Sequence, residues 1–258
     1  MISNKDSGVG IELTPRGILH SCTVTLRLGE YRDVLLGLKD EKNYGRRGSD
    51  FFSDGSCVSE YITSQSKLAV VYPKGRKITE GLFFNLKGCG VGNIEDHNLT
   101  INSNLFRIKD KLFDVSDTPM DFRTETPIGE RIRVGYEPLV GRHGYDHEYK
   151  LWDDVTEAMK DTSSVITESG EGTMIHEDKL IHAATLLDRS RTLEMSVYTN
   201  TQFIYLYTGN NMSGKDIGKG GCIIPNRGGV ILRPATGDDA PLTYDAVCVY
   251  KFTPKEII

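Results

Sequence analysis

Along much of the chain, apolar and polar positions alternate with a period of two, as in a strand with one buried face. Val24 and Leu26 alternate with Thr25 and Arg27. Leu193, Met195 and Val197 alternate with Glu194, Ser196 and Tyr198. Residues 58–72 read as two strands about a Ser-Gln-Ser turn, ended by Pro73-Lys74-Gly75. Short apolar runs at 33–38, 80–86, 203–207, 229–233 and 246–252 read as further strands. Residues 98–107 and 110–115 read as a hairpin, and 131–135 as one more strand after a turn at Pro119. The best helical spacing lies in 150–160. There Trp152, Val155, Ala158 and Met159 share a face, Asp153 and Asp154 sit in the first turn, and Trp152 reads as the buried anchor. Gly/Ser/Asp-rich stretches at 45–57, 163–175 and 208–222 read as loops. The pattern predicts an all-β fold, a large antiparallel β-sandwich with few short helices, as a single domain over 1–258.

Composition narrows the partners. The 258 residues hold 31 Lys+Arg and 36 Asp+Glu, a net charge of -5, which gives no basic face for nucleic acid or an anionic membrane. A hydrophobic fraction of 38% with 26% charged residues suits a folded core. The runs at 68–72 and 203–207 are too short to span a bilayer. The first residues carry no apolar leader-like run, and the five cysteines form no C-x-x-C pair. These features lead to the expectation of a reduced cytoplasmic protein without a metal or other cofactor. The pair Arg46-Arg47 reads as solvated, with a phosphate contact as the sharper alternative. Gly209 to Lys215 has P-loop spacing, but Asp216 stands where the Ser/Thr belongs and the following glycines do not favour the helix a phosphate cradle needs.

The densest chemistry is Arg142-His143-Gly144-Tyr145-Asp146-His147-Glu148-Tyr149. Rings to stack on and a carboxylate to accept paired hydroxyls are what a sugar pocket needs. Gly144-Tyr145-Asp146-His147 resembles a loop of the galactose mutarotase (aldose 1-epimerase) family. Further pieces follow in that family's order. They are Asp33-Val34-Leu35-Leu36-Gly37 with Tyr44, Phe83-Phe84-Asn85-Leu86-Lys87-Gly88, and Ile94-Glu95-Asp96-His97-Asn98-Leu99. Thr118-Pro119-Met120-Asp121-Phe122-Arg123, Tyr205-Leu206-Tyr207-Thr208-Gly209-Asn210 and Tyr250-Lys251-Phe252 complete the series.

The resemblance implies a β-supersandwich and a sugar site in which a His and a Glu exchange protons with the sugar, while the loop Asp holds hydroxyls. Interconverting anomers requires such an acid and base. Carried over position by position, the Asp is Asp146, but the register puts Gly81 where the acid belongs and Arg233 where the base belongs. The family's N-terminal His and Arg elements have no counterpart, because only a short loop joins Tyr44 to the 58–72 strands. Glu80, His176 and His182 are the alternative proton carriers. The expected function is that of a non-catalytic member acting as a binding or interaction protein for a carbohydrate, a sugar phosphate or a protein partner. Asp146, Tyr145, His147 and Arg233 form its expected remnant sugar pocket. The alternatives are a module for anionic or phosphorylated sugars and a divergent active epimerase.

Overall fold

The structure is a computed structural model and describes residues 8–45, 58–153, 156–170, 172–237 and 240–256. The chain opens with a three-stranded antiparallel meander, β1 (Val9–Leu13), β2 (Leu19–Thr25) and β3 (Tyr31–Asp33). A hairpin follows, β4 (Glu60–Ser64) and β5 (Lys67–Tyr72). Its turn residues Gln65 and Ser66 both adopt positive φ, the geometry that matches the twist of paired strands. Next come β6 (Asn98–Ile101), β7 (Leu105–Ile108), β8 (Lys111–Asp114), β9 (Thr126–Pro127) and β10 (Asp146–Lys150). The hairpin β11 (Ile166–Ser169) and β12 (Gly172–Ile175) leads into three longer strands. These are β13 (Ile181–Leu187), β14 (Leu193–Thr199) and β15 (Phe203–Tyr207). The short pair β16 (Asp216–Ile217) and β17 (Ile223–Ile224) precedes β18 (Ile231–Ala235) and β19 (Ala246–Pro254).

Two sheets make the sandwich, one in the order β4-β5-β19-β14-β13-β6-β9 and the other β18-β15-β10-β7-β8. Neighbouring strands in both are antiparallel. Alternate residues of each strand point into the space between the sheets. There Val70, Tyr250, Phe252, Met195, Leu186 and Leu99 meet Phe106, Tyr149, Ile204, Leu206 and Leu232. The Tyr250 hydroxyl crosses the gap and donates to the Leu232 carbonyl at 2.8 Å. The other face of the seven-stranded sheet buries Ala69, Val247 and Val249 against Val165 and Ile175, which flank and close the β11–β12 hairpin. The all-β expectation holds, and the α-helices of the described residues are four residues long.

Local departures have physical causes. Residues 150–160 form a helix only over Glu157–Lys160, because β10 takes the chain to Lys150 and the Leu151 N–H donates to the Gln202 carbonyl. Trp152, expected as the buried anchor, is 47% exposed; Asp154 and Val155 lie outside the described residues. The expected strand at 131–135 is a helical turn, Ile128–Arg131, followed by tight turns. Ile128 and Ile132 are buried at helical spacing, and Val134 is exposed. Beyond Asp33 the chain stays buried but its N–H groups divide among neighbours: Val34 to Cys22 O, Leu36 to Phe83 O, Leu38 to the Tyr44 hydroxyl. Residues 80–86 likewise make only the bridges of Phe84 to Leu35 and Val230.

Candidate functional site

Cross-strand register puts two rows of side chains on the outer face of the five-stranded sheet. Asp146 pairs with Tyr207 and Tyr207 with Ile231; Glu148 pairs with Tyr205 and Tyr205 with Arg233. Because a strand alternates, His147 falls on the opposite face beside Leu206. The outer face forms the floor of a cavity of about 210 Å³. Its walls come from Ile18 and Leu19, from Leu35, Leu36 and Tyr44, and from the extended stretch 79–83.

Asp146 is held from two sides. The Tyr205 hydroxyl donates to Oδ1 at 2.5 Å, and Arg142 Nη1 approaches Oδ2 at 3.4 Å. Burial, then the Asp146 charge, hold the Tyr205 phenol well above its ordinary range, so it keeps its proton. The Tyr205 and Tyr207 rings stack with centroids 6.3 Å apart and planes 14° apart. The Arg233 guanidinium lies over the Tyr205 ring, 4.2 Å from its centroid, and Nη1 donates to the Pro234 carbonyl. Among the described residues no carboxylate lies in ion-pair range of Arg233.

Gly81 lines the same cavity, and a Cβ there would lie 2.4 Å from Ile231 Cγ2 and 3.2 Å from Arg233 Cδ. The space for a side chain at 81 is therefore filled from β18. Glu80, buried, also lines the cavity.

Tyr145 and His147 are not brought to the cavity. Tyr145 is fully buried, packs edge-on against Phe122 and donates to the Pro119 carbonyl at 3.0 Å. His147 sits against Phe106, and its Nδ1 accepts the Asp146 N–H at 3.0 Å. Burial lowers its pKa to about 4, so it is neutral near pH 7. The alternation of β10 carried this signal: of three adjacent residues only Asp146 or its neighbours can face one way. His176 bonds to Thr167, and His182 to Asn102 and Thr185, away from the cavity lining. Tyr44 and Tyr207 also line the cavity, and both lie within the ordered motifs of the chain. Burial raises the Tyr44 phenol to about 12. Arg46 and Arg47 lie outside the described residues, and 208–222 forms no α-helix for a phosphate cradle, only a three-residue 3-10 turn at Lys219–Gly221.

The loop before Asp146 is locked by Asn210. Its Nδ2 donates to the carbonyls of Arg142 and Tyr145, and its Oδ1 accepts from Thr208. Gly144, at φ 142°, lies where a Cβ would meet Asn210 Oδ1 at 2.4 Å, so only glycine fits.

A carboxylate, stacked phenols and a guanidinium at the face of a large antiparallel β-sandwich define a protein with a small polar pocket on its five-stranded sheet. The aldose 1-epimerase family model matches residues 82–231, and the chain belongs to the aldose 1-epimerase family. The match begins just after Gly81 and ends just before Arg233. Among curated proteins, the chain is 28% identical to galactose mutarotase of Mus musculus over 193 residues, covering 72% of this chain and 47% of the relative. It is 26% identical to the Homo sapiens galactose mutarotase with the same coverage. The chain thus spans about half the length of the curated relatives it matches. The fold is shared with galactose 1-epimerase from Lactobacillus acidophilus, at a TM-score of 0.62 and 13% identity over 97% of this chain and 93% of that one. An aldose epimerase homologue from C. elegans superposes with a TM-score of 0.61, at 13% identity over 97% of both chains.

Proposed function

We propose that this family member binds a carbohydrate in the Asp146 cavity without opening its ring, and that the ligand is an anionic sugar. The observation that carries this reading is Arg233, a guanidinium without a described carboxylate partner, at the same cavity as Asp146. Ring opening needs one group to take the anomeric proton and another to protonate the ring oxygen. Gly81 carries no titratable group and its side-chain space is taken by Ile231. Arg233 stays protonated and cannot act as a base near neutral pH. What remains is recognition. Asp146 accepts from sugar hydroxyls, the Tyr205 and Tyr207 rings offer an apolar face, and Arg233 offers a forked donor to a carboxylate or phosphate.

The test pairs polarimetry with calorimetry. Protein at high micromolar concentration should leave the anomerisation of α-D-galactose and α-D-glucose at the buffer rate. Galacturonate or galactose 6-phosphate should bind about tenfold or more tightly than galactose, and Arg233→Ala should remove that preference. Asp146→Asn should weaken every sugar by about tenfold, the scale of one charge-assisted hydrogen bond. Glu80 favours a second reading, a divergent active epimerase, because it places another carboxylate in the cavity. A protein-dependent rate lost in both Glu80→Gln and Asp146→Asn would establish that reading and overturn the first.

A further inference from the structure

The cavity chemistry leaves two half-buried thiols unused. Cys89 and Cys222 are 133 residues apart in sequence, yet their sulfurs lie 3.6 Å apart. Neither is bonded to another cysteine, and the other free thiols of the described residues, Cys22 and Cys248, are buried. Backbone presses the pair together. A Cβ on Gly90 would lie 2.6 Å from Cys222 Cβ and 2.7 Å from its Sγ. A Cβ on Gly218 would lie 2.8 Å from Cys222 Sγ and 3.2 Å from Cys89 Sγ. Glycine on both sides therefore admits the sulfurs where any other residue would displace them. A disulfide bond of about 2.05 Å requires the two sulfurs to close by about 1.5 Å from this contact.

The two turns that carry the thiols flank the cavity. Cys89 follows the wall stretch, its N–H donates to the Asp33 carbonyl, and its side chain packs against the cluster of Leu36, Tyr44, Phe83, Tyr207 and Ile231. Cys222 closes a tight loop in which the Gly218 N–H donates to the Cys222 carbonyl at 2.7 Å. That loop grips the other wall. Lys219 Nζ donates to Asp33 Oδ2 at 2.5 Å and to the Leu35 carbonyl at 2.7 Å, and its N–H donates to Gly37 O. Among the described residues no backbone hydrogen bond joins the two turns, so the thiol contact is their direct polar link.

We propose that Cys89 and Cys222 are a reversible disulfide site, which in its oxidised form clamps the 217–222 loop to the 88–92 turn at the rim of the cavity. The oxidant class is a low-molecular-weight disulfide such as oxidised glutathione. One protein thiolate attacks a sulfur of that disulfide and expels a glutathione thiolate, which takes up the proton the protein thiol gave up. The second protein thiolate attacks the protein-side sulfur of the mixed disulfide and expels the second glutathione, again with one proton. Two protein thiols lose two electrons, and one small disulfide becomes two thiols. Burial, then the hydrogen bond with Cys89, push the Cys222 thiol up to about 11. The thiolate fraction at neutral pH is small, so exchange takes place over hours rather than seconds.

The experiment uses the full chain in anaerobic glutathione buffers that range from fully reduced to fully oxidised. After long incubation the free thiols are alkylated and the unreduced protein is mapped by mass spectrometry. Cleavage after Lys87 and Lys219 puts the two cysteines in separate peptides. The expected result is paired loss of two thiols, one cross-linked species holding Cys89 and Cys222, and full recovery with dithiothreitol. The oxidised protein should unfold about 5–10 °C higher than the reduced one, since the link closes a long loop. Amides of 35–38 and 217–223 should exchange more slowly. Cys89→Ser and Cys222→Ser should each abolish the cross-link and the thermal gain while matching the reduced wild type in melting. Recovery of both cysteines alkylated, or as separate glutathione adducts, at the most oxidising ratio would overturn the proposal. So would a cross-link that forms without slowing exchange at 35–38. None of these readouts depends on sugar binding.

Discussion

On one face of the five-stranded sheet, Tyr149, Ile204, Leu206 and Leu232 meet the seven-stranded sheet; on the other, Asp146, Tyr205, Tyr207 and Arg233 line the cavity. The same three strands, β10, β15 and β18, supply both. Each face contains tyrosines with hydrogen-bonded hydroxyls. On the inner face Tyr145 and Tyr149 donate to the carbonyls of Pro119 and Met120, backbone atoms of the turn between β8 and β9. On the outer face Tyr205 donates to a carboxylate whose side chain is 25% exposed. The difference teaches that one residue type within a few positions serves either packing or recognition, and strand parity decides which.

The sharpest way to break that contrast is to truncate one tyrosine on each face. Tyr149→Ala removes a fully buried ring and leaves the Met120 carbonyl without its donor. It should cost about 3–5 kcal/mol of stability, the range for large aromatic cavities. Tyr205→Ala opens onto the cavity and should cost about 1–2 kcal/mol. Urea unfolding of both variants measures the difference, and equal costs would mean that the outer face is as much a structural layer as the inner one.

Acid should separate the faces next. His147, on the inner face, has a folded pKa of about 4 against an ordinary 6.5, because burial disfavours its charged form; Asp146 opposes the shift and Arg142 adds to it. Between those two values the unfolded chain binds the proton and the folded chain does not. The stabilising contribution is therefore complete above pH 6.5 and is lost as pH falls toward 4, by about 3 kcal/mol in all. Protonation at Nδ1 would also end its acceptance of the Asp146 N–H. His147→Asn keeps an acceptor near that position and cannot take up the proton. Its stability should fall less than the wild type's between pH 6.5 and 4, and an unchanged profile would assign the acid sensitivity to other groups.

Much of this contrast was legible in the sequence. The period-two pattern at Leu193 to Tyr198 and the Ser-Gln-Ser turn gave strands where strands are found. The ordered motifs pointed to the family and to Asp146 at the cavity, with Gly81 and Arg233 lining it too. Tyr145 and His147 adjoin Asp146 in sequence, but strand parity turns His147 to the opposite face and Tyr145 precedes β10. At 131–135 Ile132 and Val134 alternate like a strand, but the buried pair is Ile128 and Ile132, at helical spacing. The Cys89–Cys222 contact had no local signal, since it depends on two turns far apart in the chain meeting across the rim.

Trp152 gives the smallest expected effect and refines the comparison at its edge. By parity it continues the outer row of Asp146, Glu148 and Lys150, but β10 ends at Lys150, so strand geometry no longer assigns it a face. It borders a shallow groove with Asn102, Asn104, Arg123 and Lys150 and is 47% exposed. The chain is held at this point by backbone, through the Leu151 N–H on Gln202 O, and by Lys150 Nζ on Asp153 at 2.9 Å, neither of which needs the indole. Trp152→Ala should therefore cost about 1 kcal/mol, against the 3–5 kcal/mol expected of a buried aromatic anchor. Chemical denaturation reads the difference directly. A cost near that of Tyr149→Ala would mean that the indole is covered in solution and that the inner layer of the sandwich extends past the end of β10.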